Sequence, residues 1–403
     1  MRRRRSPVVE AGGRRRETVR LTVALGLTQL IAWGTTFYLP AVVMGVAGPD
    51  LGLSRAGTVG AFSWALVVSG LCAPRMGRWI DRHGGRGVLA SGTVLLAVGL
   101  ALLAAARGPW AWYGGWTVLG VGMALALYDA AFATAGRLLG TAAGSVITGI
   151  TLIAGFASSV FWPAGVALVH RFGWRATLLV YGGTLLAVNL PLILLLVPRA
   201  GAPGAIVAAR AAGVPVGRRR VAALACLSGF FSLRWLITSA IAVYVLHLFQ
   251  ALGLSAGQAV LAAALIGPGQ VLGRVVDWSV GRRFGVLARA RLAAALLPVG
   301  VVVLALGGAV AVPVFAVLYG MSNGILSINR GTLPMAIFGP AGYAALLGWL
   351  AVPPLLAQAA APSVAAPLVA AVPALGVFVA AGALGVVAGA MLLPLRVGGA
   401  GEG

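Results

Sequence analysis

Acid is what this chain has least of: seven Asp and Glu residues in 403, against 30 basic ones, every one of them arginine. Lysine is absent, which excludes the G-x-x-x-x-G-K-[ST] phosphate loop and with it a P-loop ATPase. The three histidines, His83, His170 and His247, lie far apart and form no H-E-x-x-H string. Cys72 and Cys226 both sit in apolar runs and offer neither a disulfide framework nor metal-ligand spacing. No cofactor or metal is implied. Titratable groups so few and so scattered leave little from which to build an enzyme.

What remains is apolar. The chain is 60% hydrophobic and 9% charged, with a mean hydropathy of +1.00, whereas a soluble domain is about 45–50% apolar and about 25% charged. So few charges cannot cover a water-soluble core of this size, so lipid is the expected solvent. The net charge of +23 does not point to nucleic acid, which needs basic residues grouped on one face with stacking aromatics. Here they fall between apolar runs long enough to cross a bilayer, which takes about 20 residues each. Runs near 21–46, 57–75, 87–106, 110–135, 143–168 and 176–197 precede a break; others near 221–249, 256–275, 286–308, 311–329, 341–363 and 372–395 follow it. The expected organisation is an arginine-rich arm (1–20), a six-helix bundle (21–197), a loop (198–220), a second bundle (221–395) and a tail (396–403). The apolar run behind the arm is too long for a cleavable signal. Five prolines, from Pro353 to Pro373, blur the division of the last two spans.

Arginine placement orients the array. With the N-terminus in the cytoplasm, cytoplasmic segments and their span ends hold 25 arginines, the opposite side holds four, and Arg234 alone falls well inside a span. That asymmetry is what the positive-inside rule expects. The basic excess is therefore an orientation signal for a multi-pass protein of the cell membrane. The arm, with RRRR at 2–5 and RRR at 14–16, is also placed to touch anionic lipid.

Between the second and third spans lies GRWIDRHGGR, residues 77–86. A partial echo, GRVVDWSVGRR, occupies 273–283 after the eighth span. Gly77, Arg78 and Asp81 match Gly273, Arg274 and Asp277, each offset by 196 residues. The repeat falls at corresponding places in the two halves and argues for two homologous six-helix units. The first copy resembles the loop motif of the major facilitator superfamily, G-x-x-x-D-R-x-G-R-R/K. Gly77, Asp81, Arg82, Gly84 and Arg86 match it, and Gly85 stands where the first terminal arginine is usual. FGWR (172–175) is similar to the segment these proteins carry before the sixth span; LYDAAFA (127–133) and GFASSVFWP (155–163) resemble a bacterial branch near the monocarboxylate-transporter-like permeases.

The resemblance implies an all-α membrane protein of twelve helices in two pseudo-symmetric bundles, both termini cytoplasmic. It also implies alternating access to a midplane site by a small-molecule substrate, with or without a coupling proton or ion, in a functional monomer. It implies that Asp81 accepts hydrogen bonds from the start of the eleventh span, near Gly342 and Tyr343, where a helix dipole favours a carboxylate. This would latch the cytoplasmic side, with Arg82 and Arg86 holding the acid ionised, Gly77 and Gly84 allowing close approach, and Gly273, Arg274 and Asp277 as a degenerate second copy. The alternative is a set of topology-setting arginines with an incidental acid. The signatures of proton-driven drug exporters are not intact: Trp116 stands where they carry arginine, and the fifth span reads Trp162-Pro163-Ala164-Gly165.

Polar groups inside spans are the remaining candidates. Arg234 costs roughly 2.5–3.5 kcal/mol at a helix centre, so it faces the bundle interior. It either binds a substrate carboxylate bidentately or is satisfied structurally; Phe231 and Thr238 share its face. Asp129, the one acid well inside a span, is either a proton or cation site or a partner of Arg82 or Arg86 in a charge network. Gln29, Trp33, Trp162 and Asn323 fall on polar stripes at helical spacing and either line the site or pack helices together. Arg330 reads as a cytoplasmic anchor. The expected function is transport of a small organic anion. Export of hydrophobic or cationic compounds, and a non-transporting sensor or membrane-embedded enzyme, are the alternatives.

Overall fold

In lipid every backbone N–H and C=O must be satisfied within the protein, which leaves helices or closed barrels; these Leu-, Ala- and Val-rich runs choose helices. The computed structural model describes residues 7–199 and 217–397, with 7–15 as backbone only, and no strand occurs among them. Most of the inter-bundle loop, the start of the arm and the end of the tail (1–6, 200–216 and 398–403) lie outside the described residues.

The described helices make twelve traverses. The first is α1 (Pro7–Ala32), a π-helical turn (Trp33–Phe37) and α2 (Pro40–Asp50); the second and third are α3 (Arg55–His83) and α4 (Gly85–Ala105). The fourth is split into α5 (Pro109–Ala126) and α6 (Tyr128–Leu139), and the fifth into α7 (Ala143–Ala154) and the first part of α8 (Ala157–Thr184). Gly173, at φ 78°, turns α8 back into the sixth, which ends in α9 (Leu190–Leu196). The second half follows with α10 (Gly217–Ala251), then α11 (Ala256–Ala264) and α12 (Ile266–Ser279) as one broken traverse. α13 (Val286–Gly307), α14 (Val312–Phe338), α15 (Tyr343–Ala371) and α16 (Ala374–Ala390) complete it. α15 absorbs Pro353, Pro354, Pro362 and Pro367, and Pro373 caps α16, so the prolines do not end a span between them.

A second internal repeat accompanies the motif at 77–86. Leu-Gly-Leu-Ser recurs at 51–54 and 252–255. In both places the serine is a helix N-cap: Ser54 Oγ accepts from Gly57 N at 3.1 Å, and Ser255 Oγ from Gln258 N at 3.3 Å. These are the starts of the second and eighth traverses, the same position in each half.

One end of the bundle gathers the arginine-rich turns between α3 and α4 and between α12 and α13. The opposite end carries the FGWR turn, where Asp50 Oδ2 accepts from Trp174 Nε1 at 2.8 Å and from Arg175 Nη1 at 3.0 Å. Both charges of that pair are about half exposed, so it adds little stability. The halves join mainly through α3 with α15, α6 with α14 and α15, and α7 with α12 and α14. The outer pieces α2, α5 and α8 pack within their own half. The structure is therefore closed at the arginine-rich end. Gly77 makes that closure possible, because any Cβ there would overlap the Ala344 carbonyl of α15.

Gly77→Val should therefore pry α3 from α15. In a chain with Cys72 and Cys226 replaced by serine, a single Ala135→Cys reporter on α6, fully buried in the closed structure, should label several-fold faster. An unchanged labelling rate would mean that this contact does not hold the end shut.

Candidate functional site

Two carboxylates bridge the halves at the closed end. Asp81, near the end of α3, accepts from Ala345 N at 2.8 Å and Ala344 N at 3.3 Å, in the first turn of α15. The contact falls one or two residues beyond the expected Gly342 and Tyr343. Arg82 is exposed and Arg86 half-buried beside the Gly84 turn, and no ion pair joins either to Asp81 among the described residues. The arginine whose charge acts on Asp81 is Arg137 of α6.

Asp129 differs from expectation in its partner. It forms a two-pronged pair with Arg330 of the other half, Nε–Oδ1 at 2.8 Å and Nη2–Oδ2 at 2.6 Å, with Arg330 also 5.4 Å from the Trp235 ring. The break at Leu127 (φ −86°, ψ −168°) starts α6 afresh and puts Asp129 in its first turn. That is ten residues from the helix end at Leu139, about 15 Å deep, out of reach of the surface arginines Arg82 and Arg86. Arg330 is thus a bridging partner and not an anchor.

The echo motif does not reproduce the Asp81 contact. Asp277 pairs with Arg289 at 2.8 Å inside its own half, and Gly273 lies against the Met321 backbone of α14. Arg274 leaves the turn and runs into the protein, 5% exposed. Its Nε donates to Ser327 Oγ of α14 at 3.2 Å and its Nη2 to Gln270 Oε1 at 3.4 Å. Its Nη1 crosses to the N-terminal half at the α7/α8 break, where Gly155 leaves room: a Cβ there would overlap that nitrogen. Nη1 itself is buried without a hydrogen-bond partner.

One turn along α14 is the second buried guanidinium. Arg234 is 1% exposed; its Nη2 donates to Ser322 Oγ at 2.7 Å and Asn323 Oδ1 at 3.2 Å, and its Nη1 has no partner. Thr238 Oγ1 donates to the same Asn323 oxygen at 3.2 Å, and Tyr319 OH donates to the Thr238 carbonyl. Ser322 Oγ in turn donates a hydrogen bond to Ala293 O of α13. The N-terminal half carries an aromatic cluster: Trp33 packs 4.6 Å from Tyr128 and 4.5 Å from Phe37, and Tyr38 lies 5.7 Å from the exposed Trp162. Trp33 Nε1 is a further buried donor without a partner. Gln29 is engaged elsewhere: its Nε2 donates at 2.7 Å to Ala126 O, which the break deprives of its helical partner because Ala130 N bonds Leu127 O. Trp116, at the exporter-signature position, is fully buried against Trp112 and Phe62.

Every acid whose side chain is described has a place. Glu17 is exposed, Asp50 is in the FGWR clamp, Asp81 caps α15, and Asp129 and Asp277 hold Arg330 and Arg289. None is left for Arg234 or Arg274. Neither G-x-S-x-G string offers a free nucleophile: Ser255 of 253–257 is held in a capping box with Gln258, and Ser322 of 320–324 donates to Ala293 O and accepts from Arg234. No metal-binding cluster occurs among the described residues. Sequence reasoning missed Arg274 as an interior group. Its signal is the i, i+4 pair Gln270–Arg274 on a helix that carries the motif.

Removing one member of a buried pair strands the other, at about 3–5 kcal/mol when burial is complete. With side chains 15% and 11% exposed, Asp129→Asn should cost on the order of 2 kcal/mol, read as a fall in the melting temperature of the purified protein. The double variant Asp129→Asn, Arg330→Gln should recover part of it. If the single variant melts like wild type, the bridge carries no stability.

The comparisons agree with this architecture. The model of the Major Facilitator Superfamily matches residues 24–353. The fold is that of the human organic anion transporter MFSD10 (TETRAN), with a TM-score of 0.75 and 17% identity over 93% of this chain and 99% of that one. It is likewise similar to the proton:xylose symporter XylE bound to 6-bromo-6-deoxy-D-glucose, with a TM-score of 0.69 and 13% identity over 93% and 94%. No curated protein matches the chain significantly in sequence. The family and these structures are transporters rather than enzymes, and the family model spans most of the twelve-helix array: the chain is a multi-pass membrane protein of the Major Facilitator Superfamily.

Proposed function

We propose that the protein is a secondary transporter of the cell membrane that carries a small organic anion, a carboxylate, by alternating access. The observation that carries this reading is the pair of buried guanidiniums, Arg234 and Arg274, each with an unpartnered Nη1 and no acid to offset it. A charge buried without a partner is costly. An arginine fork matches a carboxylate in shape and charge, and such bonds are about twice as strong as neutral ones. A bound carboxylate thus supplies what the protein withholds. An organic anion transporter is among the proteins of this fold, which is consistent with the reading.

Roles follow for the other residues. Asn323 and Thr238 hold Arg234 in place, and Gly155 gives Arg274 its way across. Trp33 and Trp162 form the apolar wall, and Gln29 steadies the break in the fourth traverse. Asp81, seated on α15 and released when the halves rock, is the latch, with Gly77 and Gly84 shaping its approach and Arg82 and Arg86 marking the cytoplasmic side. The Asp129–Arg330 bridge shuts the same side from within. Gly273 and Asp277 pack their own half and do not latch.

Ligands that bind the folded state stabilise it by mass action, by about 2.7 kcal/mol at a hundredfold excess over Kd. Thermal melts of the wild type should rise with some small carboxylates in a panel that also holds cations and neutral metabolites. Arg234→Gln and Arg274→Gln should abolish the rise. If only cations or apolar compounds stabilise, and equally in all three proteins, both arginines are structural and the exporter reading replaces this one.

A further inference from the structure

We infer that the site is built for a dianion, a short dicarboxylate that gives one carboxylate to each guanidinium. This rests on the anion reading and adds the number of charges to it. Arg234 and Arg274 are not two alternatives for one carboxylate, because each is anchored separately on the same helix. Arg234 is tied to Asn323 and Arg274 to Ser327, four residues on along α14, a step of about 6 Å. Both are held by neutral side chains through part of the guanidinium, and in both it is Nη1 that stays free.

The third arginine of the series shows what compensation looks like in this protein. Arg330, three residues beyond Ser327 on α14, meets both oxygens of Asp129. Two other arginines hold a buried unpartnered Nε, but Arg289 is paired with Asp277 and Arg137 lies by Asp81. Arg234 and Arg274 are the buried guanidiniums for which no described acid remains. A monoanion would neutralise one and leave the other stranded in the protein interior. A dianion leaves the closed site neutral. It also explains why Gly155 is hollowed to bring Arg274 across the interface: a ligand gripped by Arg234 from α10 and by Arg274 at the α7/α8 break would touch both halves.

The test is isothermal titration of the full-length protein in nanodiscs at constant ionic strength, with oxalate, malonate and succinate, the matched monoanions acetate and propanoate, and the monomethyl ester of succinate. The ester keeps the length and removes one charge, so the wild type alone can decide. At least one dicarboxylate should bind at least about tenfold more tightly than its monoanionic match, the ester included where succinate is the ligand. In Arg234→Gln and in Arg274→Gln that preference should shrink to about twofold or less. Equal binding of dicarboxylates and monoanions would overturn the dianion site and leave the anion reading standing. No binding of any carboxylate would overturn the anion reading itself. A tenfold preference that survives in either folded variant would overturn the assignment to these two arginines.

Discussion

A carboxylate inside lipid is expensive, and this chain spends its few acids on a small number of contacts. That shortage of negative charge is the constraint on which the rest depends. Asp81 is placed on a helix N-terminus, Asp129 on an arginine of the opposite half, and Asp277 on an arginine of its own half. The first two are the acids that bridge the halves, and both lie toward the arginine-rich end. Closure at that end and the absence of counter-charge deeper in are two sides of one distribution.

The broken traverses make that distribution possible. A continuous fourth helix would carry Asp129 on an unbroken backbone; the break at Leu127 gives it a fresh N-terminal turn, where the dipole favours a carboxylate. The break exposes a carbonyl, and Gln29 covers it. The break at Gly155 opens the space that Arg274 enters from the other half. If an anion sits between the two arginines, these seams are where it meets both bundles. Occupancy of the site and the rocking of the halves are then coupled through the same side chains.

Much of this was legible in the sequence, and the reason is the solvent. Hydropathy over about 20 residues reports directly on bilayer thickness, so the twelve traverses stand out, and the first motif led to the start of α15 within two residues. Arg234 declared itself because an arginine in the middle of an apolar run has no other place to go. What stayed hidden depends on backbone irregularity and on distance along the chain. Leu127 breaks its helix without Pro or Gly at the break itself, so the apolar pattern runs straight through it. Asp129 and Arg330 are 201 residues apart, and nothing local pairs them. Arg274 reads as one more arginine of a basic turn, because it stands at the very end of its apolar run; only the fold shows it turned inward toward Ser327.

Two buried guanidiniums that lack a counter-charge are, on this reading, there to be neutralised by a travelling anion. The decisive measurement is counterflow of radiolabelled oxalate and succinate into proteoliposomes preloaded with the unlabelled anion. Saturable accumulation of at least one label is expected with the wild type, and none with an Arg274→Gln protein that folds and reconstitutes equally well. Label entering equally through both proteins, or a wild type that binds the anion yet moves none of it, would refute that role for the two arginines.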